Sequence, residues 1–202
     1  MNAPDTTIIG TPTSGGYYAG RIRLDDGNVY VLIVAPKAEG EHEPTIWMPV
    51  GVNFDGATSY NDGMANTVAM AEAGSELAMW ARAANINGET DWYLPSQDEL
   101  EIIYRNLKPT ANLNYCWMRS GLNLSAVEPT CPHTPNFPLQ TQAELFQDGG
   151  AEAFEPSWYW TSTRHIAYSE SAFYQSFSGG NQYYYYASYK LRARLVRRLI
   201  IE

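Results

Sequence analysis

Apolar positions follow two spacings along this chain, alternation near both ends and a helical period in between. "YYAGRIRLDDGNVYVLIVAP", residues 17–36, holds two β-rich runs around Asp26-Gly27. That pair favours a tight turn, so the stretch predicts a hairpin, and Val29 to Ala35 is apolar enough for a central strand. "EGEHEPTIWMPV" predicts a loop feeding a short strand at Ile46 to Met48. From about Gly63 to Ala84, Met70, Ala73, Leu77, Trp80, Ala81 and Ala84 recur at helical spacing, and Asn87-Gly88 stops the run. In "LPSQDELEIIYRNLKP", Ser96 and Glu99 have capping-box spacing, Leu100, Ile103, Tyr104 and Leu107 form an apolar stripe, and Pro109 ends the helix. Residues 108–140 are rich in Pro, Asn and Cys without a period, which predicts a long structured insertion. Thr141 and Glu144 suggest a second capping box on a short helix.

From Trp158 the alternation returns in "WYWTSTRH", "SAFYQSFS", "QYYYYASY" and "RARLVRRLII", with Gly179-Gly180 placed for a hairpin between the second and third. Helices followed by a late antiparallel sheet, which the early strands can join, is an α+β plan. Residues 1–16 are small, polar and Gly/Pro-punctuated, as in a terminal arm that lies on another surface. The expected organisation is therefore an N-terminal arm over 1–16 and one domain over 17–202, with early strands in 17–50 and late strands in 158–202.

Alternation also predicts which late side chains are free. Phe173 and Phe177 share a face with Gln175 and form the expected core side, so Tyr174 and Ser176 should face solvent or a partner. Tyr183 and Tyr185 point one way, Tyr184 and Tyr186 the other, so one pair should be exposed. Of 15 tyrosines, Tyr159, Tyr168, Tyr174, the run Tyr183 to Tyr186, and Tyr189 lie in the late region, mixed with Ser, Asn, Gln and Gly. Tyrosine supplies contact area with few rotatable bonds, and the small polar residues supply adaptable hydrogen bonding, which suits a recognition surface. The expected ligand-binding residues are Tyr168, Tyr174, Ser176, Asn181, Tyr184, Tyr186, Ser188 and Tyr189.

The formal charge of -9 argues against nucleic-acid binding and against docking on anionic lipid. Lys190, Arg192, Arg194, Arg197 and Arg198 nevertheless crowd the closing run. They could grip an acidic glycan, but the surplus of carboxylates makes internal pairing the better reading, with at least one arginine buried as an anchor. The first residues lack a signal-peptide pattern and no apolar run approaches the ~20 residues that span a bilayer, so a soluble chain, released by assembly or lysis, is expected. Cys116 and Cys131 match no metal spacing and read as two unpaired thiols. His42, His133 and His165 are scattered, and Ser162 has neither a nucleophile elbow nor a base. No catalytic residue, metal ligand or cofactor is expected.

"DWYLPSQDELEIIYRNL", "WYWTSTRH", the aromatic strand with its Gly-Gly turn and "RARLVRR" together resemble the successive signatures of the Lcl C-terminal-domain family, over roughly residues 88–200. "GGYYAGRI" and "YVLIVAPKAEGE" are similar to the start of phage and prophage members. The resemblance implies a C-type-lectin-like fold, with two main helices flanking a small twisted antiparallel sheet. It also implies glycan or receptor binding through the late strands, and relatives that include the diversified targets of retroelements. Calcium-dependent lectins pair an E-P-N loop with a W-N-D strand; here Glu155-Pro156-Ser157 stands alone, so no calcium site is expected. Formylglycine-generating enzymes share the fold, but both cysteines precede the late strands and take no catalytic role from that likeness. The expected function is a non-enzymatic recognition module on a phage or phage-like particle. Its partners would be a host-surface receptor or glycan, other virion proteins through the arm, and further copies or neighbours in an assembly. The alternative is a structural tail or decoration protein whose aromatic face packs on a neighbouring subunit.

Overall fold

The computed structural model describes residues 8–52, 54–117 and 122–201. In chain order the strands and helices are β1 (Pro12–Thr13), β2 (Gly16–Arg23), β3 (Val29–Val34), α1 (Lys37–Gly40), β4 (Glu41–Ile46), α2 (Gly63–Glu72), α3 (Glu76–Ala83), α4 (Gln97–Leu107), β5 (Ala126–Val127), β6 (Trp158–Arg164), β7 (Ser171–Ser176), β8 (Gln182–Tyr186), β9 (Lys190–Arg194) and β10 (Val196–Ile200). They form an α+β fold with two five-stranded sheets: β1-β2-β3-β10 with β5 beside β2, and β4-β9-β6-β7-β8.

The early hairpin forms as its turn predicts, with Arg23 opposite Val29 and β3 central between β2 and β10. Residues 1–7 of the expected arm lie outside the described residues. The remainder of the arm is tied to the domain, because β1 pairs with β2 and the Gly10 amide donates to the Tyr18 carbonyl at 2.8 Å.

Several expectations need correction. The strand expected at Ile46 to Met48 is β4, five residues earlier at its start, and it tolerates Pro44 because it is a sheet edge. The single helix over 63–84 is two, broken at Gly74, whose φ of +94° no helix continues through. The two main helices implied by the resemblance are thus three helices of eight or more residues among the described ones. The closing run "RARLVRRLII" is also two strands. Leu195 separates β9, paired with β4, from β10, paired with β3, so one run serves both sheets. The short helix after Thr141 is a single 3-10 turn, Glu144–Phe146, with no side-chain cap.

Helix α4 is where local sequence and packing agree most fully. The Ser96 hydroxyl accepts from the Glu99 amide, and Glu99 accepts from the Ser96 amide at 2.7 Å. Such a cap stabilises by about 0.5–2 kcal/mol. Glu99 also accepts from Tyr93 Oη at 2.7 Å and from the Gly63 amide at 3.1 Å, so the cap joins α4 to the start of α2. Leu100, Ile103, Tyr104 and Leu107 are buried against Ile22, Leu32, Phe154 and Phe177. The opposite side of α4 is buried too: the insertion covers it, and Glu101 pairs there with Arg105 at 3.0 Å and with His133 at 3.3 Å.

Candidate recognition surface

Strand β8 is the edge of the second sheet opposite β4, and the β7–β8 hairpin sets what its side chains meet. The Gly180 amide donates to the Ser176 carbonyl at 2.9 Å with φ of +81°. A Cβ there would lie 2.4 Å from the Tyr104 ring, so the turn needs glycine for its backbone and for the closeness of α4. The resulting register places Tyr174 opposite Tyr183 and Ala172 opposite Tyr185 on one face. Gln175 opposite Gln182, Phe173 opposite Tyr184 and Ser171 opposite Tyr186 occupy the other. The second face is anchored beneath by amides: Gln182 Nε2 donates to the Gln97 carbonyl at 2.8 Å, and Gln97 Nε2 returns a bond to Gln182 Oε1 at 3.1 Å. This reciprocal pair of buried amide bonds ties β8 to the start of α4.

Aromatic rings then wrap the edge. Trp117 stacks on Tyr183 at 4.9 Å, Tyr183 on Tyr184 at 4.5 Å, and Tyr184 on Tyr168 at 5.3 Å, a continuous series of four rings. On the Tyr174 face, Trp158 stacks on Tyr174 at 4.6 Å, and Tyr185 meets Tyr189 edge-on at 4.3 Å. The outer members are open: Trp117 is 61% exposed, Tyr168 55%, Tyr186 56% and Tyr189 49%. Ser188 is exposed in the turn closed by the Tyr189 amide on the Tyr186 carbonyl at 2.9 Å. Asn181 and Tyr184 are half-buried, and neither pair of the tyrosine run is sealed.

Two expected site residues are not on this surface. Tyr174 is buried because Trp158, from the neighbouring strand, lies flat over it. Ser176 is 1% exposed and its hydroxyl is satisfied by Ser178 at 2.9 Å. Phe173 is buried as well, so β7 is covered on both sides and exposure begins only at β8 and its flanking loops. Sequence reasoning missed Trp117 and Trp158. The first sits in an insertion without period, whereas the second opens a strand already in view.

Loop and ring chemistry are settled by local bonds. His165 Nδ1 accepts from the Ala167 and Tyr168 amides, both at 3.1 Å, and so sets the loop that presents Tyr168. Burial, followed by the Arg164 charge, pushes the His165 pKa down and keeps the ring neutral. The hydrogen bond with Tyr183 pushes the Tyr184 phenol up to about 12, so it too stays uncharged.

The basic closing run turns inward. Arg194 is fully buried and bonds the Ala35 carbonyl at 3.0 Å, the Glu152 carbonyl at 2.8 Å and Glu152 Oε2 at 2.6 Å. Arg192 pairs with Glu41 and Glu43, Arg197 with Asp91 at 2.7 Å and Glu89 at 2.9 Å, and Arg198 with Asp62 at 2.8 Å. Internal pairing therefore describes these four arginines, and Arg194 is the buried anchor. Cys116 and Cys131 are free, and burial pushes both thiols up, away from a reactive thiolate. Among the described residues no cluster of His, Cys, Asp or Glu is arranged to hold a metal, and no helix is long and apolar enough to cross a membrane.

Beside β8 lie two hollows. The larger, of about 580 Å³, is lined by the 167–171 loop and Tyr183 to Tyr186. The smaller, of about 390 Å³, lies between that loop and residues 48–52, and the two share Ser169, Glu170 and Tyr186.

A family model described as the Lcl C-terminal domain matches residues 45–197. No curated protein and no solved structure matches the chain.

Proposed function

Starting from a chain that belongs to the Lcl C-terminal domain family, we propose that it is a non-enzymatic ligand-recognition module with a C-type-lectin-like fold. In this reading it is carried by a phage or phage-like particle and binds a host-surface receptor or glycan. The observation that carries the proposal is the aromatic series around the β8 edge, where Trp117, Tyr168, Tyr186 and Tyr189 are open on a platform fixed by buried amides. Rings held in this way lose little conformational entropy on binding and offer flat faces to a sugar ring or an apolar side chain. The engagement of the closing arginines by internal carboxylates speaks against a sulfated or uronic polymer as the target.

The test is a variant with Tyr168, Tyr186 and Tyr189 all changed to Ala, compared with the parent protein in a whole-cell and glycan-array binding screen. Loss of binding with an unchanged melting temperature supports recognition by this face. Retained binding by the folded variant refutes it. A second reading, a structural tail or decoration protein, draws on a different surface. Leu113, Leu122, Leu124 and Leu139 of the insertion are 66–91% exposed, apolar surface that a neighbouring subunit would cover. An assembled particle in which those leucines are covered and the tyrosines open would support both roles on one chain.

A further inference from the structure

The larger hollow beside β8 combines ring faces with a lone carboxylate. Tyr168 and Tyr183 to Tyr186 contribute to its lining, and among the described residues Glu170 is its one charged member. Glu170 is also the one charged residue lining the smaller hollow, so it stands where the two meet. It is exposed and has no ion-pair partner among the described residues, unlike the carboxylates that hold the closing arginines. The volume of about 580 Å³ falls within the roughly 300–1,000 Å³ typical of small-ligand sites.

Three ligand chemistries can be compared against these walls. An anion would meet the carboxylate and the negative faces of the rings, both repulsive. A neutral group would stack on the rings and leave the carboxylate unused. A cation is attracted by both, and aromatic walls suit an alkylated ammonium, whose charge is spread over methyl or methylene groups. The hydrogen bonds with Tyr183 and Tyr189 push the Tyr184 and Tyr185 phenols up, so these two add no phenolate charge to the walls.

We propose that this hollow binds an organic ammonium group, quaternary or protonated, with Glu170 and the faces of Tyr168 and Tyr186 as its recognition elements. This rests on the reading of the β8 edge as a recognition surface, and assigns the chemistry of one part of the ligand.

The test uses choline and its uncharged isostere 3,3-dimethylbutan-1-ol, titrated into the full chain and followed by NMR shifts and tyrosine fluorescence. Choline is expected to saturate the site about tenfold more tightly than the alcohol. Glu170→Gln should weaken choline by about threefold to tenfold while leaving the alcohol unchanged, and Tyr186→Leu should weaken choline without altering the fold. Equal affinity for the two probes, no saturable response to choline, or no effect of Glu170→Gln would each overturn the proposal. Cell adsorption measured on the same variants separates the two readings. Adsorption lost in the tyrosine variants without any choline binding overturns the ammonium site alone. Choline binding with adsorption untouched by those variants upholds the ammonium site and overturns the wider reading.

Discussion

Replacing Arg194 with Met keeps most of the side-chain length and removes the charge on which the two sheets converge. Three hydrogen bonds are lost, to the carbonyls of Ala35 and Glu152 and to the Glu152 carboxylate, and Glu41 at 3.6 Å loses a counter-charge. The guanidinium also lies 4.9 Å from the centre of the Phe154 ring, a contact that the Met thioether replaces only in part. Removing the buried partner of an ion pair costs about 3–5 kcal/mol, against a total stability of roughly 5–15 kcal/mol for a domain of ordinary size. At about 2–4 °C per kcal/mol for this size, the melting temperature should fall by roughly 6–20 °C. Urea unfolding followed by tryptophan fluorescence would measure the loss directly, and adding Glu152→Gln should restore part of it, because the uncompensated charge is then gone. A loss below about 1 kcal/mol, the range of an exposed pair, would refute the anchoring role and make the closing arginines available to a ligand again.

Three further outcomes are expected. Burial, followed by the Arg164 charge, holds the folded His165 pKa below 6.5, so the stability it contributes is complete above 6.5 and lost as pH falls through its lowered value; the NMR signals of Ala167 and Tyr168 should move in that window, and His165→Asn should flatten the change. Burial pushes Asp62 up, but the bond from Arg198 and those from the Ala65 and Met64 amides outweigh it, leaving the carboxyl below 3.8. Its stability is therefore present above 3.8 and lost below, and Asp62→Asn should make the acid limb of a pH-unfolding series shallower. Gly180→Ala should cost more than about 2 kcal/mol in chemical denaturation, since it combines a left-handed backbone with a 2.4 Å approach to Tyr104; a neutral result would show that the turn can relax.

What could be read from sequence was mostly what is decided locally. The box formed by Ser96 and Glu99, the Asp26-Gly27 turn and the Gly179-Gly180 turn each depend on residues within a few positions of one another, and each forms. Gly74 and Ser75 carried the signal that splits the middle helix, with Ser75 capping α3, but the apolar spacing ran across it. The division of the closing strand at Leu195 left no mark, because β9 and β10 continue one alternating run and differ only in the strands that receive them. Tyr174 shows the limit of alternation most directly. A period of two separates the faces of a strand but does not say how many of them are covered, and Trp158 covers the one expected to be free. The aromatic character of the β8 region was legible from composition, whereas the stacking of Trp117 on Tyr183 depends on how an aperiodic insertion folds back.

The partition of the closing run has a consequence for how this domain comes into being. β3 and β4 are made early, yet each pairs with a partner more than a hundred residues downstream, Val34 with Val196 and Glu41 with Arg194. While a ribosome is still adding the residues between them, both stand with an open flank and nothing native to join. Such distant pairings are slow to find and expose the nascent chain to adhesion with its neighbours. Synthesis must therefore carry the polypeptide past residue 190 before the second sheet can close and past residue 196 before the first can, which makes the closure of both sheets a late event.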